Sequence, residues 1–282
     1  MHYSSSKQYE MKNRHLIAIC ALLTVVSLSG AYMCRAQQAR PTANYELAWQ
    51  EDFNASQLDT TYWNIIERGP SEWQKFMSSN KSLFKHRRGY IRLYARQNKR
   101  IEPADTASYL TGGISTQHKI TFTFGKIEVR ARIHGATGCW PAIWLKSDNP
   151  QLWGYPERAE IDIMEYASHD KYVTQTVHNN YTDKLGHANR PKSQSRPNTD
   201  VTQWNTYTVE ILPDNIILSV NDEPTLTYPR IETDEEGQFP FGVESFLLID
   251  MQVGNRYLKN IVAREYPAWM DVDWVKIYRL KP

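Results

Sequence analysis

The sequence contains little cysteine, with three residues in a chain of 282. Cys20 and Cys34 lie in an N-terminal stretch that we interpret as an export signal, which leaves Cys139 as the only thiol of the mature chain. One thiol cannot form a disulfide within the chain, so stability must come from the hydrophobic core. Cys139 follows Gly138 and precedes Trp140 in an apolar run, where a buried structural thiol is expected rather than a nucleophile.

The chain also has almost no excess of charge of either sign. Its 33 Lys and Arg residues against 31 Asp and Glu residues give a formal net charge of +2. So weak a field does not favour a nucleic acid or an anionic membrane as partner.

Aromatic residues are frequent, with 9 Trp and 17 Tyr. Because aromatic faces stack on the C–H faces of sugars, an oligosaccharide or polysaccharide is the expected substrate, although a Trp-rich core explains any single Trp equally well. We also expect the protein to be a monomer.

No long hydrophobic run occurs after the N-terminus. Lys12 and Arg14 precede an apolar run at 16–28, which small residues follow. A run of about 7–15 apolar residues behind positive charge is typical of a signal peptide and is short for a membrane span. We therefore predict a signal peptide at 1–36, no membrane span, and a secreted or periplasmic mature protein. Lipidation of Cys34, which would make the protein a surface lipoprotein, is the alternative.

Sustained helical periodicity and internal repeats are nearly absent after the signal. Short segments rich in β-branched and aromatic residues alternate instead with turn signals, which is typical of an all-β sandwich or barrel. A hairpin is predicted between 206–212 and 215–221, over Pro213-Asp214-Asn215. The polar stretches 54–79, 97–111 and 182–203 are expected to be loops. The predicted strands are 45–53, 89–96, 112–118, 124–134, 140–147, 159–166, 172–180, 206–212, 215–221, 243–253 and 269–279.

One predicted strand carries three carboxylates, Glu160, Asp162 and Glu165. On a regular strand Glu160 and Asp162 share a face, whereas Glu165 would point to the opposite face. A single bulge at Ile163-Met164 returns Glu165 to the carboxylate face, and bulges are frequent beside active sites. A solvated acidic strand face is the alternative, but it leaves Glu165 on the apolar side. The pattern therefore predicts a site built on three carboxylates.

Two carboxylates on either side of one bond indicate glycoside hydrolysis. A retaining enzyme holds them about 5–5.5 Å apart and an inverting enzyme about 6.5–9.5 Å apart. The spacing of Glu160 and Glu165 in the sequence is compatible with either distance. Asp162 lies between them, where we expect it to orient the nucleophile and to hold the acid protonated, because a nearby negative charge raises a carboxyl pKa.

With these motifs in this order, the sequence resembles glycoside hydrolase family 16, whose members are retaining endo-β-glucanases and endo-β-galactanases. The resemblance covers nearly the whole mature chain and implies a catalytic domain of this family at 37–282. Besides the carboxylate motif, it rests on 47–53, 58–63, 124–132, 138–145, Trp153, 176–178 and 271–278.

The resemblance implies a jelly-roll β-sandwich of two antiparallel sheets with a concave substrate cleft. It makes Glu160 the nucleophile, Glu165 the acid/base and Asp162 the assisting carboxylate, with no cofactor for catalysis. Asp273 matches a position that helps bind a structural calcium ion in some members, although a solvated Asp on a plain strand fits equally well. The implied substrate-binding residues are Trp140, Trp144, Trp153 and His178.

The extra bulge residue is similar to members that cut β-1,3-glucan, agar-type galactans or lactosamine chains. The stretches 175–182, 227–241 and 248–254 resemble endo-β-galactosidases that act on mucin O-glycans. Asn255-Arg256-Tyr257 departs from both groups, which usually have Gly-x-Trp there. We expect an endo-β-1,4-galactosidase of poly-lactosamine chains in mucin-type O-glycans or keratan. The alternatives are an endo-1,3-β-glucanase (laminarinase) and a non-catalytic carbohydrate-binding module, although a module does not need the three carboxylates.

Overall fold

The computed structural model describes residues 43–87 and 89–281. The predicted signal peptide, with Cys20 and Cys34, lies outside these residues. The described chain has one short helix, α1 (Asn180–Asp183), and otherwise only strands, turns and short 3₁₀ segments. The strands are β1 (Tyr45–Glu51), β2 (Asn64–Ile65), β3 (Phe84–Arg87), β4 (Tyr90–Gln97), β5 (Tyr109–Thr111), β6 (Gly113–Ser115), β7 (Gly125–His134), β8 (Ala142–Ser147), β9 (Glu160–Glu165), β10 (Thr174–His178), β11 (Gln194–Ser195), β12 (Asn205–Ile211), β13 (Asn215–Val220), β14 (Glu223–Pro229), β15 (Ser245–Asp250) and β16 (Ala268–Leu280).

The strands form two antiparallel sheets. A nine-stranded sheet has the order β14-β13-β12-β7-β16-β4-β3, with β1 added on β16 and β5 on β4. A seven-stranded sheet has the order β11-β10-β9-β8-β15-β6-β2. Among the described strands, half of the pairings in the two sheets join strands that are not consecutive in the chain. The expected all-β sandwich of two antiparallel sheets is confirmed.

One hydrophobic core fills the space between the sheets. Apolar residues of β7 alternate with polar ones, so Ile127 and Val129 are buried while Lys126 and Glu128 are partly exposed. The same alternation in the seven-stranded sheet buries one row of side chains against the core and leaves the other row on the outer face. The core side of the sheet includes Ile143, Leu145, Ile161, Ile163, Val177, Leu247 and Ile249.

Each predicted strand segment overlaps an observed strand. The predicted hairpin is β12–β13, closed by the N–H of Leu212 donating to the carbonyl of Asn215 at 2.9 Å. The strands that the sequence pattern did not predict are short or lie at an edge. β2, β5 and β11 fall inside the stretches expected to be loops. β14 is an edge strand that contains Pro224 and Pro229, and proline is tolerated at an edge because part of the backbone has no strand partner.

Cys139 is fully buried, in agreement with a structural thiol. Its Sγ accepts a hydrogen bond from the N–H of Ala136 at 3.1 Å. Burial raises the pKa of the Cys139 thiol to about 11, so the thiolate needed for nucleophilic attack is scarce at neutral pH. No helix in the described part of the chain is both long enough and apolar enough to cross a membrane.

Candidate active site

A bulge in β9 brings the three carboxylates to one face of the seven-stranded sheet. Asp162 lies opposite Trp144 of β8, whereas Glu165 lies opposite Ala142, so three steps on β9 match two on β8. The same shift occurs against β10. The extra residue is at Ile163-Met164, as the parity of the motif predicts. Because the shift restores the alternation, Glu165 lies on the same face as Asp162.

Glu160 extends this row of carboxylates at the start of β9. It lies opposite Lys146 of β8 and His178 of β10. We call the outer face of the seven-stranded sheet around Glu160, Asp162 and Glu165 the site face. Asp162 is only 5% exposed, and both glutamates are partly buried. A merely solvated acidic surface would leave all three side chains in water, so that alternative does not describe this strand.

His178 connects Asp162 to a carboxylate outside the motif. The Nε2 of His178 lies 3.0 Å from Asp162 Oδ2, and Nδ1 lies 3.1 Å from Asp183 Oδ2. Burial alone would lower the pKa of His178, but the hydrogen bonds to both aspartates and the charges of Asp162 and Glu160 raise it well above its usual value. These contacts favour the imidazolium form of His178. Asp183 ends α1, inside a stretch expected to be a loop, and no sequence signal identified it.

Arg158 makes the corresponding contact with Glu160. Its Nη2 donates to Glu160 Oε1 at 2.6 Å and its Nη1 donates to Tyr155 Oη at 3.1 Å. The hydroxyl of Tyr155 in turn donates to Asp183 Oδ2 at 2.7 Å. With the His178 contacts, these bonds link Glu160 to Asp162 through side chains alone. Neither Arg158 nor Tyr155 was predicted as a site residue.

The two glutamates have different surroundings. Burial and the negative charge of Asp162 raise the pKa of Glu165 well above its usual value, although the charge of His178 and a 2.8 Å hydrogen bond from Trp140 Nε1 oppose this. Burial and Asp162 also raise the pKa of Glu160, and there the positive charge of Arg158 opposes them. Glu165 therefore favours its protonated form, and Glu160 has a direct cationic partner for its ionised form.

Trp144 occupies the site face but does not offer a ring for a sugar to stack on. It is 5% exposed, because Trp73 packs edge-on against it with ring centroids 4.9 Å apart. Its indole N–H donates to Asp250 Oδ2 at 2.8 Å. Asp250 is fully buried, and burial raises its pKa to about 7. The expectation that Trp144 contacts substrate thus changes to a role in supporting the floor of the site.

The other two tryptophans of the predicted site are more accessible. Trp140 is partly exposed beside Glu165, and Trp153 is 38% exposed. The indole N–H of Trp153 donates to the carbonyl of Ser147 at 2.8 Å, which fixes the ring at the end of β8. The ammonium of Lys146 lies 3.7 Å from the centroid of the same ring.

Comparison with known proteins identifies the family to which the chain belongs. The sequence model of glycosyl hydrolases family 16 matches residues 70–274. The chain belongs to glycoside hydrolase family 16. This membership supports an endo-acting glycosidase, and enzymes of this family need no cofactor for catalysis.

The relatives within family 16 carry names that refer to different glycan substrates. The chain is 32% identical over 242 residues to a keratan-sulfate endo-1,4-beta-galactosidase of Sphingobacterium multivorum, matching 85% of this chain and 56% of that protein. It is 29% identical to a beta-glucanase of Rhodothermus marinus, over 95% of this chain and 97% of the relative. A solved structure from work on the endo-acting O-glycanases with which human gut bacteria initiate mucin breakdown has a TM-score of 0.71 and 26% identity, covering 84% of this chain and all of that one.

Two places on the described chain offer carboxylates to a metal ion: a cluster on the site face and the single residue Asp273. Glu160, Asp162 and His178 offer ligand atoms within 4.8 Å of one another. Both His178 nitrogens already contact carboxylates and Arg158 contacts Glu160, so this group is balanced by protein charges. Asp273, on β16 of the other sheet, forms an ion pair with Arg130. A guanidinium at that carboxylate disfavours a calcium ion in this arrangement, so the structural calcium stays a prediction without support here.

Proposed function

We propose that this family 16 enzyme is a secreted, retaining endo-β-galactosidase that hydrolyses β-1,4-galactosyl bonds inside poly-lactosamine chains of mucin-type O-glycans or keratan. The observation that carries the proposal is the placing of Glu160 and Glu165 on one face, where the pKa of Glu165 is raised well above its usual value and Glu160 pairs with the guanidinium of Arg158. The similarity to a keratan-sulfate endo-1,4-beta-galactosidase supports the substrate.

In the first chemical step, an oxygen of the Glu160 carboxylate bonds to the anomeric carbon of the galactose. The bond from that carbon to the leaving sugar breaks, and Glu165 gives its proton to the departing oxygen. The contact with Arg158 opposes the rise in the pKa of Glu160 and so favours the ionised carboxylate that attacks. The step leaves a galactosyl ester on Glu160 and an ionised Glu165.

In the second step, Glu165 takes a proton from a water molecule. The water oxygen bonds to the anomeric carbon while the ester bond to Glu160 breaks. Glu160 returns as a carboxylate and Glu165 as an acid, so no further reactant is needed. Two inversions at one carbon give a product with the β configuration of the substrate.

Asp162 and His178 act through these two groups. A negative Asp162 keeps the pKa of Glu165 high, so that the acid holds its proton until the leaving group departs. The ring of His178 lies 3.0 Å from Asp162 and gives that buried carboxylate a partner on the site face.

Galactose and glucose differ at the 4-hydroxyl, which is axial in galactose. A site that hydrogen-bonds an axial hydroxyl leaves buried polar groups without partners when glucose binds, and such losses are costly. We therefore propose a preference of at least about 100-fold in kcat/KM for the lactosamine chain over laminarin, or roughly 2.7 kcal/mol. The beta-glucanase relative keeps laminarinase activity as the second candidate.

Secretion and the monomeric state belong to the same proposal. The apolar run behind Lys12 and Arg14 supports export, which would bring the enzyme to glycans outside the cytoplasm. The single buried thiol among the described residues fits a fold that does not depend on disulfides.

Product analysis after parallel incubation with laminarin, agarose, keratan and mucin O-glycans tests the proposal. Oligosaccharides with galactose at the new reducing end, released from keratan and mucin O-glycans, are expected, with little or no product from laminarin. Faster release from laminarin under matched conditions would replace the galactosidase by a laminarinase. Binding without any product from the four glycans would favour a carbohydrate-binding module.

A further inference from the structure

Lys146 is a cation on the site face that the mechanism above does not use. It lies directly opposite Glu160 in the pairing of β8 with β9, so its side chain leaves the sheet on the same side as the carboxylates. The side chain is only partly exposed. Its Nζ lies 3.7 Å from the centroid of Trp153, a ring that the Ser147 carbonyl fixes in place. The ammonium is thus held at a defined point beside Glu160.

In the part of the chain that the structure describes, the ammonium of Lys146 forms no ion pair. Within 43–87 and 89–281, no carboxylate forms an ion pair with its Nζ and no oxygen accepts a hydrogen bond from it. Glu160 lies opposite Lys146 in the strand pairing, but its Oε1 already accepts from Arg158. Burial lowers the pKa of Lys146, and the charge of Glu160 offsets this lowering only in part. A half-buried ammonium normally finds an anion or an acceptor.

A second cation adds to the positive charge on this side of Glu160. Arg158 lies close enough for its charge to oppose that of Lys146, and its guanidinium neutralises Glu160. The corner formed by Lys146, Arg158 and Trp153 therefore carries a net positive charge even though it adjoins the carboxylates. A neutral hydroxyl could accept a hydrogen bond there but could not balance the charge.

We propose that Lys146 binds a sulfate ester on a sugar unit that lies beside Glu160 and against Trp153. An anionic ester oxygen accepts from an ammonium more strongly than a hydroxyl does, because the bond is charge-assisted. The inference rests on the proposed function, since it assumes a lactosamine-type chain, and it adds that the enzyme favours sulfated chains. The aromatic ring of Trp153 supplies the apolar surface for the sugar that carries the ester.

The test compares keratan sulfate with the same polymer after chemical desulfation. The wild type, Lys146→Met and the control Lys276→Met are assayed for kcat/KM on both. Lys276 is a matched control because its Nζ also lies over a tryptophan, 4.3 Å from the Trp274 centroid, but on the other sheet. Lys146→Met is expected to lose about tenfold or more on the sulfated polymer and less than about threefold on the desulfated one, while Lys276→Met keeps both values.

An equal loss on both polymers, or no loss on either, would overturn the inference. If Lys146→Met does not fold, the wild type still decides the matter: raising the salt concentration should reduce kcat/KM on the sulfated polymer more than on the desulfated one, because screening weakens charge pairs. Equal salt dependence would count against a sulfate contact. A wild type that cleaves neither polymer would instead refute the proposed galactosidase, which separates the two failures.

Discussion

Replacing Arg158 by Gln should move the acidic limb of the pH profile. The guanidinium of Arg158 donates to Glu160 Oε1 at 2.6 Å in a partly buried place, with side-chain exposures of 28% and 15%. It stabilises the ionised carboxylate and so holds the pKa of Glu160 below the value that burial and Asp162 would otherwise give. Its loss should therefore raise that pKa, and the nucleophile should be protonated at a higher pH.

The size of the effect follows from the type of contact. A hydrogen bond to a charged group contributes about 1.5–3 kcal/mol. One pKa unit corresponds to about 1.36 kcal/mol, so the acidic limb of kcat/KM should move upward by about one to two pH units. Below that limb, Arg158→Gln should lose about 10–100-fold in kcat/KM against the wild type, and the deficit should shrink as the pH rises.

The assay is the pH dependence of kcat/KM, which reports the pKa values of the free enzyme. Arg158→Lys keeps the charge and should retain most of the wild-type profile. Arg130→Gln is a matched control, because it also removes an arginine paired with a carboxylate, but on the other sheet. An acidic limb that stays in place for Arg158→Gln, or a loss that is the same at every pH, would refute the assigned role of Arg158.

Three further variants test the site. Glu160→Gln keeps the size of the side chain but cannot form the glycosyl ester, so it should abolish turnover and leave folding intact; a tenth of the wild-type rate would contradict this. Glu165→Ala should be rescued by azide to give a β-glycosyl azide, because azide attacks the intermediate without help from a base; an α-azide would reverse the two roles. Asp183→Asn removes one of the carboxylates that raise the pKa of His178, so kcat should fall mainly at the alkaline side, where His178 would lose its proton. A uniform fall across the pH range would indicate a purely structural role for Asp183.

Features set by local alternation were predictable from the sequence. The polar and apolar residues of β7 alternate along the whole strand, so its inner face was evident. The bulge at Ile163-Met164 followed from the odd spacing of Asp162 and Glu165 on an otherwise regular strand. Both depend on one strand and its two-residue period.

Features set by the path of the loops were not predictable from strand alternation. Trp144 appeared to be a free aromatic of the site, but Trp73, from a stretch expected to be a loop, covers it. Asp183 reaches His178 only because α1 turns back after β10, and Arg158 meets Glu160 through a contact two residues along the chain. Sequence patterns carry no signal for how such loops return to the sheet.

Proton NMR during hydrolysis of a poly-lactosamine chain tests the central claim most directly. If Glu160 forms a covalent intermediate and Glu165 assists both steps, the first product should carry a new galactose reducing end in the β configuration. The α-anomer should then appear only later, by mutarotation. An initial α product would contradict the two-step retaining mechanism.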